Sequence, residues 1–89
     1  MWGELGTFRL RRILSDNVKY YRFKKGYTQE QVAEKMDVSA RYMSNIDNCK
    51  GNVPVDTIQR LAECFEIDYY LLLKERKRKP LLKRVNLKE

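Results

Sequence analysis

The 89-residue sequence predicts an all-α fold of five helical segments, and three observations carry that reading. Apolar residues recur at three- and four-residue spacing, as in Leu10, Leu14, Val18 and Tyr21, and again in Val55, Ile58, Leu61, Ala62 and Phe65. Thr28 with Gln31 three residues on, and Ser39 at a break in the pattern, are helix-start signals. Gly26, the Asp37-Val38-Ser39 step and the Gly-, Asn- and Pro-containing stretch from Cys49 to Pro54 punctuate the segments. At 43% hydrophobic content the chain can bury one modest core and is too short for two domains. The expected organisation is an N-terminal arm over residues 1–9, a helical domain over 10–74 and a basic tail over 75–89.

Met1 to Phe8 holds two glycines and a tryptophan without a clear period, and reads either as an arm docked through Trp2 or Phe8 or as an unstructured start. The first helix is expected from Leu10 to about Gly26, where a left-handed stop costs little. In the second, the Thr28 hydroxyl and the Gln31 amide form a capping box, Tyr27 and Val32 suit a hydrophobic staple, and Val32, Ala33 and Met36 supply the buried side. Asp37-Val38-Ser39 breaks this helix, and Ser39 caps the next. Two short helices about three residues apart make a helix-turn-helix. Pro54 stands where the fourth helix can begin. The fifth is expected from Asp68, as cap, to about Lys74, with Tyr69, Leu71 and Leu72 toward the core. Pro80 ends any helix that reaches it, and Leu81, Leu82, Val85 and Leu87 follow.

Charge and residue usage exclude several function classes. The chain carries 19 basic and 12 acidic residues, net +7, of which residues 74–89 supply +6. That balance favours nucleic acid or another anionic partner, and it is concentrated in the tail, which reads as a DNA-backbone arm, an interaction tail or a solubilising run. There is no histidine, and the two cysteines, Cys49 and Cys64, cannot by themselves complete a four-ligand zinc site, so no metal or cofactor is expected. Cys64 beside Phe65 reads as core filler, and both thiols as free. Without a histidine base, a glycine-rich phosphate loop or a spaced carboxylate cluster, an enzyme is not expected. No segment approaches a membrane span or a signal peptide, so a cytoplasmic, nucleoid-associated protein with no membrane partner is the default.

The third helix, beginning after Ser39, carries the chemistry. Met43 and Ile46 fall on one side, while Arg41, Ser44, Asn45 and Asn48 fall on the other. Arg can fork onto guanine acceptors and Asn onto adenine, so Arg41 and Asn45 suit base-edge reading in a major groove. An ordinary solvated helix face has the same pattern.

The order of these segments resembles the lambda-repressor-like (XRE-type) helix-turn-helix family from about Leu14 to Leu73. The resemblance rests on Arg22 and Gly26 before Thr28-Gln29-Glu30-Gln31-Val32-Ala33, then Val38-Ser39, Ile46-Asp47-Asn48, Lys50, Asp56-Thr57-Ile58 and Leu61-Ala62. It implies a five-helix DNA-binding domain in which Ala40, Arg41, Ser44 and Asn45 face the bases. It further implies that Gln29, at a helix N-terminus, and Ser39, Asn48 and Lys50 hold phosphates. Tyr42 is either a further phosphate contact or packs on the fourth helix. Arg22 and Asp47 match positions that in some relatives form a partly buried ion pair. The family usually has glycine where Asp37 and Cys49 stand. Either these side chains occupy left-handed backbone at a cost on the order of 1 kcal/mol, or the local path differs.

The function so implied is a bacterial or phage-type transcriptional regulator binding double-stranded operator DNA as a homodimer, with no small-molecule ligand evident. The rival from another class is a protein-interaction module, antitoxin-like or an adaptor, with DNA binding secondary or lost.

Overall fold

A computed structural model describes the backbone of residues 2–76 and the side chains of residues 9–76. It contains α1 (Trp2–Lys25), α2 (Gln29–Met36), α3 (Ala40–Asp47), α4 (Val55–Phe65) and α5 (Tyr70–Leu73), with no strand among the described residues. α1 starts at Trp2 and not at Leu10, so residues 2–9, expected as an arm, continue the first helix. Gly3 and Gly6 each cost up to about 1 kcal/mol in a helix interior. Once a helix is nucleated, however, each added residue gains a backbone hydrogen bond, and no proline intervenes. The docking expected of Trp2 or Phe8 lies outside the described side chains, and Pro80, Leu81, Leu82, Val85 and Leu87 lie outside the described residues.

The core draws on every helix. Leu14 and Val18 come from α1, Val32, Ala33 and Met36 from α2, Met43 and Ile46 from α3, Leu61, Ala62 and Phe65 from α4, and Leu72 from α5. Tyr21 stacks on Phe65 with ring centres 6.4 Å apart. Leu10 and Val55, expected in the core from spacing, are instead solvent-facing, at 49% and 78% exposed. Each sits at the edge of its apolar stripe, and they rim an open apolar groove with Val53, Ile58 and Leu73.

Four helices end by one device. After α1 the N–H of Gly26 donates to Phe23 O and that of Tyr27 to Arg22 O, with Gly26 at φ 77°. The same pair of bonds follows α2, from Asp37 and Val38 to Glu34 and Ala33, and α4, from Glu66 and Ile67 to Glu63 and Ala62. After α3 it runs from Cys49 and Lys50 to Ile46 and Asn45. This is the Schellman arrangement, which satisfies last-turn carbonyls through a left-handed residue. Asp37 (φ 60°) and Cys49 (φ 63°) therefore adopt the backbone that glycine usually takes there, and Glu66 (φ 61°) does so as well. Behind Gly26, Asp37 and Glu66, the side chains of Tyr27, Val38 and Ile67 pack on the core, which helps hold each left-handed step in place.

α5 is shorter than expected. Asp68 does not cap it by its side chain. Tyr69 stands at the N-cap in helical geometry, and its side chain is 64% exposed, not core-facing. The far end is set by buried Asn17 of α1, whose Nδ2 donates to Leu72 O (2.8 Å) and Lys74 O (2.9 Å). Arg9 pairs with Glu75, and Arg76 lies 3.5 Å from the Tyr20 ring centre, so the root of the basic tail is held along α1.

Candidate nucleic-acid interface

The turn between α2 and α3 is set by local chemistry at each step. Thr28 Oγ1 accepts from Gln31 N (3.0 Å) while Gln31 Oε1 accepts from Thr28 N (2.8 Å), so the capping box starts α2. Asp37 closes α2 in left-handed geometry, and Ser39 Oγ then accepts from Tyr42 N (3.0 Å) to start α3. α3 buries Met43, Ile46 and Asp47. Ala40, Arg41, Ser44, Asn45 and Asn48 share the opposite face by their four-residue spacing, with Ala40, Arg41 and Asn48 exposed and Ser44 and Asn45 half-buried.

An acidic side chain is badly placed against the dipole at a helix C-terminus, yet Asp47 is buried in the last turn of α3. Arg22 explains it. Its Nη2 donates to Asp47 Oδ2 at 2.7 Å, and its Nη1 donates to Tyr27 O at 3.2 Å. Gln29 Nε2 donates to the same carboxylate oxygen at 2.8 Å, so one acid ties α1 and the start of α2 to the end of α3. A second tether runs from Ser15 Oγ to Ile46 O at 2.6 Å. α3 is thereby held at its inner end by α1 and α2 while its polar face stays free.

The sites anticipated from sequence are distributed as follows. Gln29 stands at the α2 N-terminus with one amide N–H on Asp47, and its other N–H has no bond among the described residues. Ser39 is exposed at the N-cap of α3. Asn48 Nδ2 donates to Ser44 Oγ at 3.3 Å, and Lys50 is exposed just beyond. Tyr42 packs against the core with its hydroxyl 3.4 Å from Thr57 Oγ1, which is the α4-packing alternative. Sequence reading missed Ser15 and Asn17, which position α3 and α5. Their signal was small polar side chains set between Leu14 and Val18, at the margin of the apolar stripe. It also missed the Gln29–Asp47 bond, which joins positions 18 residues apart and has no local signature. Among the described residues no three His, Cys, Asp or Glu side chains gather to hold a metal ion, and no helix is long and apolar enough to cross a membrane.

A five-helix fold with a supported polar helix after a sharp turn defines a lambda-repressor-like DNA-binding domain of XRE type. The chain belongs to the helix-turn-helix family, which it matches over residues 18–72. It is 28% identical over 64 residues to a hypothetical transcription factor of Neisseria meningitidis serogroup B, covering 72% of this chain and 60% of the relative. It is likewise 28% identical over 65 residues to the HTH-type transcriptional regulator SinR of Bacillus subtilis, covering 72% of this chain and 59% of SinR. The crystal structure of the hypothetical transcription factor NHTF from Neisseria matches in three dimensions with a TM-score of 0.72 at 27% identity, covering 74% of this chain and 76% of that one. The chain thus spans roughly 60% of the length of its curated relatives.

Proposed function

We propose that this chain is a sequence-specific transcriptional regulator of bacterial or phage type that inserts α3 into the major groove of operator DNA. The observation that carries this reading is the division of α3 into a face buried through Met43, Ile46 and Asp47 and a polar face on which Arg41 is exposed and Ser44 and Asn45 are half-buried. Arg41 and Asn45 read guanine and adenine edges, with Ala40 and Ser44 lining the contact. Gln29, Ser39, Asn48 and Lys50 hold phosphates and fix the depth of insertion, while Tyr42, its hydroxyl beside Thr57, braces α3 against α4. The protein works as a non-enzymatic, cytoplasmic, nucleoid-associated homodimer on two half-sites about 34 Å apart. Selection from a pool of randomised duplexes at fixed salt tests this: one enriched motif, shifted by Asn45→Ala, is expected, and a pool that shows no enrichment overturns it.

A further inference from the structure

Arg11 lies outside the residues that match the family, on the turn of α1 just before Ser15. Because Ser15 is bonded to Ile46 O, this part of α1 is fixed against the last turn of α3 and the loop that follows. Arg11, Lys50 and Gly51 line one small, largely apolar depression there together with Leu14, Ile46 and Val53. Arg11 Nη2 donates to Asn52 Oδ1 at 3.3 Å, and among the described residues Arg11 pairs with no carboxylate, unlike Arg9 and Arg22. A half-buried arginine with most of its five N–H groups uncommitted among the described residues and a neighbouring exposed lysine make a seat for an oxyanion.

The position of this seat says which oxyanion it suits. α3 has eight residues and is therefore about 12 Å long at 1.5 Å per residue. The major groove is about 12 Å wide. Ser39 stands at the start of α3, and the Arg11, Lys50 and Asn52 group stands past its end. Gripping groups so spaced bracket one groove. We infer that Arg11 is a DNA-backbone contact, forming with Lys50 and Asn52 a phosphate seat that closes the far side of the groove read by α3. The inference rests on the DNA-binding reading above and adds a contact that the family match does not contain.

The test uses the full chain and a mixed-sequence duplex titrated across a series of salt concentrations. Loss of one phosphate contact flattens the slope of log K against log salt by about 0.9. Arg11→Ala should show that change with the selected motif unaltered, while Arg11→Lys, which keeps the charge, should retain most of the slope. If Arg11→Ala does not fold by circular dichroism, Arg11→Gln, which keeps the stem, carries the same measurement. A folded Arg11→Ala or Arg11→Gln with the wild-type slope overturns the phosphate seat. Wild-type protein that binds no duplex at any salt overturns it too, by removing the DNA-binding reading beneath it, and the two failures are told apart by the wild-type titration alone.

Discussion

Arg22 Nη2 lies 2.7 Å from Asp47 Oδ2, with side chains 8% and 3% exposed. Both charges have left water, and the pair is shared with Gln29, so its geometry sets how α3 sits on α1 and α2. Burial makes this pair weak as a source of net stability and strong as a constraint, because either partner left alone is a desolvated charge.

Asp47→Ala is accordingly expected to destabilise the fold by about 3–5 kcal/mol. Replacing both residues by apolar ones, Arg22→Met with Asp47→Leu, should recover much of that loss. Urea unfolding of the two singles and the double measures the coupling, and additive effects would contradict the pairing.

The fold was legible wherever its signals are local. The Thr28–Gln31 box, the Ser39 cap and the stripes of α2 and α4 lie within a turn or two of the bonds they make, and they were read from spacing alone. Ends were harder. A left-handed stop announces itself when it is Gly26, but Asp37, Cys49 and Glu66 hide the same bonds behind side chains, and only the core-bound Val38 and Ile67 behind two of them hint at it. α5 was overextended because its end depends on Asn17, more than 50 residues away. Val55 shows the limit of periodicity, which finds a stripe and does not say how wide a neighbour covers it. For the candidate site, the face of α3 was legible from four-residue spacing, whereas its supports, Ser15 and Gln29, act across distances that spacing does not register.

The left-handed residues make a graded test. A Cβ at Gly26 would meet nothing within 4 Å, so the cost of Gly26→Ala is backbone strain alone, about 1–2 kcal/mol. The converse changes, Cys49→Gly and Glu66→Gly, should relieve strain and stabilise by up to about 1 kcal/mol each, with Glu66→Gly losing part of this with its surface pair to Lys25. Thermal or urea unfolding reads all three. Destabilisation by Cys49→Gly would mean that its side chain contributes more than its backbone costs.

Alkaline pH singles out Cys64. Burial pushes this thiol up from its ordinary 9.0, with Lys35 and Lys25 pulling partly the other way. The folded state therefore favours the protonated form, so this contribution to stability is complete below the ordinary value and is lost as pH rises through the higher folded one. Cys64→Ala costs packing at neutral pH, and its deficit relative to wild type should shrink above about pH 9. Unfolding of both proteins across that range measures it, and a constant deficit would show that the thiol ionises alike in both states.

Base reading and backbone gripping should separate by experiment. Arg41→Ala or Asn45→Ala is expected to cost about 1–3 kcal/mol on the preferred site and to relax sequence preference at the bases it touches, while binding to unrelated DNA falls less. The tail needs a cut that respects the fold. Residues 72–76 are held to α1 by Asn17, Arg9 and Tyr20, so truncation belongs after Arg76. That cut removes six cations and one acid, net +5. If three of those cations meet phosphates, the slope of log K against log salt flattens by roughly three, with the selected motif unchanged. Motif selection combined with salt titration resolves the two signatures. Were the truncation to change the motif at an unchanged slope, or Arg41→Ala to weaken every sequence equally, the base-reading surface would have to be sought away from α3.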